Sequence, residues 1–337
     1  MRGADTILTE MMLDQLRAIF GARLRPNEPL SRHGTFGVGG PADAWVSVTR
    51  EEELLALVNL ASERGWPLML VGNGTNALFS DAGARGVVAR MQIDTSSLEE
   101  QPDERVRLRA GSGVNLPKLI NDLAGKGLAG LEWGAGVPGT IGGGIVSNAG
   151  AHGACIADTL ESARFLAAPS TPGEGAIFRD LPAEECGLGY RRSRFRAERE
   201  MRFDEQSHPI PAPRGQFEPP EMIVGGTFLL IRDDPAAIRA RVAAYRQHRK
   251  DTQPPQPSAG SVFKNPPGDH SGRLVEAAGL KGAIHGGAQI SPKHANFIVN
   301  NGGAMAADIL ALIALARQTV MERFGVALEL EVELRGD

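Results

Sequence analysis

Apolar and polar positions switch between two periods along this 337-residue chain, and each switch marks an element. Near the start, Leu8, Met11, Met12, Leu16, Ile19 and Phe20 recur at three- and four-residue spacing, which predicts an amphipathic helix. Residues 44–48 read as a strand. Residues 51–64 put Leu54, Leu57, Val58 and Ala61 on one helical face, and the apolar run PLMLV at 67–71 reads as a buried strand. Further strands are predicted at 86–91 and 106–110, and a helix at 116–126 that stops at Gly127. Strands follow at 160–167 and 222–231, the second with a Gly225-Gly226 pair that reads as a bulge. A helix at 234–247 has Asp233 or Asp234 as its cap and Pro235 in its first turn. The last third carries a short helix at 274–278, strand-like pieces at 284–290 and 297–300, and a long amphipathic helix at 306–324 closed by Gly325. A final strand at 328–334 alternates Leu328, Leu330, Val332 and Leu334 with Glu329, Glu331 and Glu333. Carboxylates in such an array ordinarily face solvent.

Some stretches fit neither period. Residues 134–153, GAGVPGTIGGGIVSNAGAHG, hold eight glycines in twenty positions. Glycine in regular structure is destabilising by about 0.5–1 kcal/mol per residue, so such a run implies left-handed backbone or close approach to a bound group. Ile141, Ile145 and Val146 among the glycines argue against a solvent loop. Residues 72–81, GNGTNALFSD, form a second small, polar turn directly after a strand. Backbone N–H groups in such turns cradle phosphates. The turn is neither a Walker A sequence nor the dinucleotide G-x-G-x-x-G fingerprint. GYRRSRF at 189–195 sets two arginines beside a tyrosine, which could clamp an anion, although on its own the segment reads rather as a solvated basic strand. Residues 196–220, charged and then proline-rich, read as a long surface insertion. From Asp251 the composition changes to a rigid Pro/Ser/Gly loop.

Composition changes this picture little. Apolar residues make up 42% of the chain and charged residues 23%, as in ordinary globular proteins, and the length allows two or three domains. A net charge of −4 gives no reason to expect nucleic acid as a partner. Cys155 and Cys186 have no metal-ligand spacing and fit a reducing cytoplasm. The N-terminal region lacks the apolar core of a signal peptide, and no run reaches the ~18 apolar residues of a membrane span. No membrane association, metal or obligate protein partner is therefore expected.

Several stretches taken together resemble one family. HGTFGVGGPAD (33–43), VGNGTNALFSDAGARGVV (71–88), GLEWGAGVPGTIGGGIVSNAGAHG (130–153), GYRRSRF (189–195), PSAGSVFKNP (257–266), GLKG (279–282), ISPKHANFIVN (290–300) and FGVALELEVELRG (324–336) are similar to the UDP-N-acetylenolpyruvoylglucosamine reductases. The resemblance spans most of the chain. It is to the family's second type, which lacks the tyrosine-bearing loop that covers substrate in the first. It implies an α+β fold, with a two-subdomain FAD-binding region of the vanillyl-alcohol-oxidase (PCMH) type followed by an α+β substrate-binding domain. The expected divisions are an N-terminal helix and lead-in at 1–28, the FAD-binding region at 29–233 (subdomains 29–90 and 91–233, insertion 196–220) and the substrate domain at 234–337.

The resemblance also implies the chemistry. NADPH would reduce FAD, and the flavin would pass a hydride to the enolpyruvyl methylene of UDP-N-acetylglucosamine enolpyruvate. That yields UDP-N-acetylmuramate for peptidoglycan precursors. FAD, held non-covalently, would contact Gly39, Gly40, Gly72, Asn73, Gly74, Thr75, Asn76, Ala77 and Leu78. It would also contact Val137, Pro138, Gly139, Thr140, Gly142, Gly143, Asn148, Gly150, His152, Gly153 and Val224. Arg191 matches the family's catalytic arginine, Ser261 its proton donor and Glu331 its glutamate. Strand parity alone cannot choose Glu331 over Glu329 or Glu333. Substrate contacts are expected from Tyr190, Arg191, Lys264, Asn265, His294 and Asn296. Two rival classes share the fold: an oxidase with flavin attached through His152 or Cys155, and a non-catalytic nucleotide-sugar sensor. A sensor has no use for the proton donor.

Overall fold

The computed structural model describes residues 9–171, 174–196, 201–211 and 214–337, so Leu8 of the first helical face lies outside the described residues. Four apolar cores are found among the described residues: three belong to separate sheets, and the fourth, with Trp45, Met69, Phe79 and Val88, lines the opposite face of the first sheet. The first is built on a sheet in which Pro41–Val48 runs parallel to Ala84–Met91, which in turn runs parallel to Leu68–Val71. Arg25–Pro29 adds an antiparallel edge and Phe217–Glu218 a parallel one. Helices Glu10–Phe20 and Glu51–Arg64 bury Leu13, Leu16, Phe20, Leu54, Leu57, Val58 and Ala61 in this core, as the helical spacing requires.

The second core lies under an antiparallel sheet ordered Ile177–Pro182, Leu160–Ala167, Glu221–Arg232, Val106–Gly111, Ser96–Glu100, with Leu128–Ala129 pairing on Glu221–Arg232. The register between Leu160–Ala167 and Glu221–Arg232 shifts at two places, leaving Glu161 unmatched on one strand and Val224, adjacent to the glycine pair, unmatched on the other. Helices Leu116–Gly125, Ile141–Ser147 and Pro235–Thr252 contribute Leu119, Ile120, Ile145, Ile238 and Val242 to this core. The third core surrounds a three-stranded antiparallel sheet, Ile284–His285, Ala288–Ile290 and Ile298–Asn300, with helices Ser271–Ala277 and Ala306–Phe324 packed on it.

Three features depart from the sequence reading. The helix that begins at residue 235 packs with the second core, and the third core takes no buried residue from that helix. The expected domain boundary at 234 therefore does not coincide with a change of core. Second, part of the 196–220 segment is structured: Met201–Phe203 and Pro209–Pro211 form a hairpin, and Phe217–Glu218 extends the first sheet. The Arg317 guanidinium lies 3.4 Å from the Phe203 ring centroid, which ties the hairpin to the long C-terminal helix. Third, only Glu333–Arg335 of the expected final strand forms a ladder, parallel to Ala77–Phe79, while Leu330 makes an isolated bridge with Phe263. Leu328 and Val332 still enter the third core, and Glu329 is exposed, but Glu331 and Glu333 meet arginines instead of solvent. Among the described residues no helix is long and apolar enough to cross a membrane.

Candidate active site

The two glycine-rich segments face one another. The turn at 72–76 leaves Leu68–Val71 and enters Ala77–Phe79. Gly74 has φ +62°, and a Cβ there would lie 2.1 Å from the His33 carbonyl, so only glycine lets the two backbones cross. Gly139, at φ +147°, sits across from it: a Cβ there would meet Thr75 Oγ1 at 3.5 Å, and one on Gly72 would meet Thr140 Oγ1 at 3.1 Å. Thr140 caps the helix Ile141–Ser147 by accepting from Gly143 N–H at 3.3 Å. Gly142 lies against Ser112 and Gly144 against Ile156, so part of the glycine content serves helix packing. Gly39 and Gly40 pack on Phe79 and Asp81.

The groups around these two segments suit a bound phosphate-bearing cofactor such as FAD. Two buried polar atoms beside the turn have no protein partner: Thr35 Oγ1, whose own N–H donates to Gly74, and Arg90 Nε, whose Nη2 donates to Asn73 at 2.9 Å. A buried polar atom left without a partner calls for a bound group or water. Val137, Pro138, Gly143 and Gly153 are partly or fully exposed, and Ala77, Leu78 and Val224 are buried. His152 stacks on Tyr245 with ring centroids 4.1 Å apart, and the Cys155 thiol points to Asp158. A larger groove, about 500 Å3, crosses the second sheet, but Val224 is the only expected site residue it contains, and its Arg107 and Arg164 are paired with Glu161 and Glu51.

The Arg191 loop is fastened from several sides. Asn148 uses its whole amide: Nδ2 donates to Gly189 C=O at 2.9 Å, and Oδ1 accepts from Ala157 N–H at 3.0 Å. Ser193 Oγ donates to Val146 C=O at 2.6 Å, and Phe195 is fully buried in the second core. Arg191 itself adopts φ +54°, a left-handed backbone uncommon for residues with a side chain. Its Nε donates to Glu331 Oε1 at 2.6 Å, and Nη2 donates to Gly150 C=O at 3.0 Å. Burial pushes the Glu331 carboxyl above its usual range, although Arg191, Arg196 and Lys264 pull the other way.

Ser261 approaches from the third core. Val262, next to it, accepts from Glu331 N–H at 2.8 Å, so the Ser261 loop and the Glu331 segment are backbone neighbours. Ser261, Asn265, His270, Arg273, Lys293 and His294 line one cavity of about 360 Å3. His294 Nδ1 accepts from Asn296 N–H at 3.2 Å, and burial lowers its pKa, which favours the neutral ring. Asn296, expected to face substrate, also lines this cavity, but it is buried with its amide engaged by Phe263: Oδ1 accepts from the Phe263 N–H at 2.9 Å, and Nδ2 donates to its C=O at 2.8 Å. Lys264 Nζ lies 3.5 Å from Glu329. The exposed Tyr190 accepts from Asn265 N–H through its hydroxyl at 3.2 Å.

Arg191, Ser261 and Glu331 thus come from three separate stretches to one place, beside the glycine turn. Residues 252–335 match the family described as UDP-N-acetylenolpyruvoylglucosamine reductase, C-terminal domain, and residues 42–171 match the FAD binding domain. A UDP-N-acetylenolpyruvoylglucosamine reductase of Chloroflexus aggregans is 44% identical over 92% of this chain and 97% of its own. One from Geobacter sulfurreducens is 41% identical over 97% of this chain and 100% of its own. The chain belongs to the UDP-N-acetylenolpyruvoylglucosamine reductase family. The crystal structure of the Thermus caldophilus enzyme of that name superposes with a TM-score of 0.70 at 34% identity, over 92% of this chain and 99% of that one. The α+β fold with an FAD-binding region, and the standing of the chain as an FAD-dependent oxidoreductase, follow from this membership.

Sequence reasoning missed Arg90 beside the turn, and it missed Arg196. The latter directly follows GYRRSRF and opens the charged stretch, so it read as one more solvated charge.

Proposed function

We propose that this enzyme reduces UDP-N-acetylglucosamine enolpyruvate to UDP-N-acetylmuramate with NADPH as the electron source, and that Arg191, Ser261 and Glu331 carry the chemistry. The observation behind this reading is the partly buried Arg191–Glu331 pair, with its 2.6 Å contact, on a segment bonded next to Ser261. Bound FAD supplies the hydride that reaches the enolpyruvyl methylene. The residues then manage the negative charge left on the α carbon and its carboxylate. The fork of Arg191 suits a planar carboxylate growing more basic, and losing one such pre-placed donor lowers stabilisation by about 2.7–4 kcal/mol. Ser261 gives its proton to the α carbon, a role that typically contributes about 100- to 10,000-fold. A protonated Glu331 keeps Arg191 on its carbonyl oxygen and has its O–H free for the enolate, a state favoured by its raised pKa. His270 and Lys293 at the cavity beside Ser261 suit the substrate diphosphate, with Lys264, Asn265, His294 and Tyr190 nearby, while Arg273 in the same cavity is paired with Asp269. On this reading the enzyme is cytoplasmic, serves peptidoglycan precursor synthesis and acts on a small molecule.

The test is anaerobic. NADPH should bleach the flavin of the Ser261→Ala variant at the normal rate, and added UDP-N-acetylglucosamine enolpyruvate should then restore the oxidised spectrum at least 100-fold more slowly than in the wild type. Reoxidation at the wild-type rate would remove Ser261 as the acid.

A further inference from the structure

We propose that Arg196 is a positioning residue that binds the Arg191 and Glu331 peptides into one unit; the proposal rests on the roles given to those two residues above. The Arg196 side chain is 8% exposed. Its Nη1 donates to the Arg191 carbonyl at 2.7 Å, and its Nη2 donates to the Glu331 carbonyl, also at 2.7 Å. One planar guanidinium thus spans the backbones of the two residues whose side chains pair at 2.6 Å. Its Nε lies 3.3 Å from Glu333 Oε1, and Glu333 is held in turn by Arg335. The guanidinium is therefore oriented from behind by a carboxylate, while its two forward nitrogens each face a carbonyl.

The arrangement answers a mechanical need. Arg191 holds a left-handed backbone that its own side chain disfavours, and such conformations persist only where neighbours over-determine them. The Arg191 carbonyl sits on a loop anchored in the second core, whereas Glu331 hangs between the third core and the glycine turn. Without Arg196, the carboxyl–guanidinium contact and the Tyr190–Asn265 hydrogen bond would have to keep these elements in register. The former is the contact substrate must share. Two fixed bonds through Arg196 take that load off the Arg191 side chain, whose Nε and Nη2 already meet Glu331 and Gly150. A lysine has one ammonium and cannot face two carbonyls in this geometry.

The experiment uses the FAD-loaded full chain and rapid mixing of each half-reaction. Arg196→Gln should keep its FAD and its rate of reduction by NADPH, while reoxidation by the enolpyruvyl substrate slows about 100-fold, the scale of an ångström-sized misplacement. Arg196→Lys should recover part of that loss. The double variant Arg191→Ala/Arg196→Gln should be no slower than Arg191→Ala, because Arg196 acts through Arg191. Losses that multiply in the double variant, or wild-type reoxidation in Arg196→Gln, overturn the proposal. So does a parallel fall in FAD content, thermal stability and both half-reactions in Arg196→Lys, which marks a merely structural role; that variant is also the one read if Arg196→Gln does not fold. Slow Arg191→Ala beside fast Arg196→Gln sinks only this proposal. Fast Arg191→Ala sinks the assignment of Arg191 itself.

Discussion

Asn296→Ala separates a scaffold residue from a substrate contact. The Asn296 amide closes both polar groups of the Phe263 peptide unit, at 2.9 and 2.8 Å, in a place where Asn296 is 4% and Phe263 2% exposed. Phe263 pairs with Leu330 as a bridge whose ladder bonds run through the neighbours, Lys264 N–H to Glu329 and Glu331 N–H to Val262. Truncation therefore orphans one buried N–H and one buried C=O. At about 1–3 kcal/mol for each unsatisfied group, the loss is about 2–6 kcal/mol, a large share of the roughly 5–15 kcal/mol of a typical native protein. Asn296→Asp rescues poorly, since a carboxylate accepts from the N–H but presents an acceptor to the C=O. Urea unfolding of the FAD-saturated protein, followed by far-UV circular dichroism, measures the loss. Because Phe263 lies two residues beyond Ser261, reoxidation should slow in step, with KM for the enolpyruvyl substrate nearly unchanged. A stability loss under about 0.5 kcal/mol with a tenfold rise in KM would refute this reasoning and return Asn296 to substrate binding.

Gly74→Ala should give protein that purifies with little yellow colour. Its Cβ would sit 2.1 Å from the His33 carbonyl, and both partners are backbone, so the turn must open; the ratio of flavin to protein absorbance measures it, and full FAD occupancy would contradict it. Glu53, gripped by both Arg23 nitrogens at 2.7 Å, has its pKa lowered from 4.5 to about 2, with the Arg23 hydrogen bond the largest cause. A depressed carboxyl pKa adds stability that is complete above the unfolded value and lost as pH falls from 4.5 towards 2, here about 3 kcal/mol in all. Glu53→Gln should then lower the melting temperature at pH 7 and leave little difference from the wild type near pH 2; an equal gap at both pH values would exclude this linkage.

What the sequence made legible follows from which signals are local. Helix Ala306–Phe324 and strand Leu160–Ala167 lie where their periodicity put them, because side chains one turn or two residues apart report burial directly. Strands Arg25–Pro29 and Ser96–Glu100 gave no such signal. The first contains two prolines and the second is exposed throughout, so their place is set by partners distant in sequence. The glycine segments were legible as a site, since nothing local explains Gly74 or Gly139. The helix inside 141–147 was not, because its glycines answer to Ser112 and Ile156. Glu331 could be picked out by motif only: its burial comes from Arg191, 140 positions away, and no alternation encodes that.

The Glu331 peptide is the point at which the Ser261 loop, the glycine turn and the Arg191 loop are bonded together. Its N–H is held by Val262 beside Ser261, and its C=O receives Asn76 Nδ2 at 3.1 Å and Arg196 Nη2 at 2.7 Å. Asn76 belongs to the glycine turn and also accepts from the Glu333 N–H at 2.9 Å. The turn that faces the cofactor cleft is thus bonded on both sides of the residue expected to steady the enolate. A group that orders the turn also orders Glu331, and through Arg196 it orders Arg191. On the proposed assignment, binding energy gathered at the turn is spent partly on placing Arg191 and Glu331 with the precision that proton and charge placement demand.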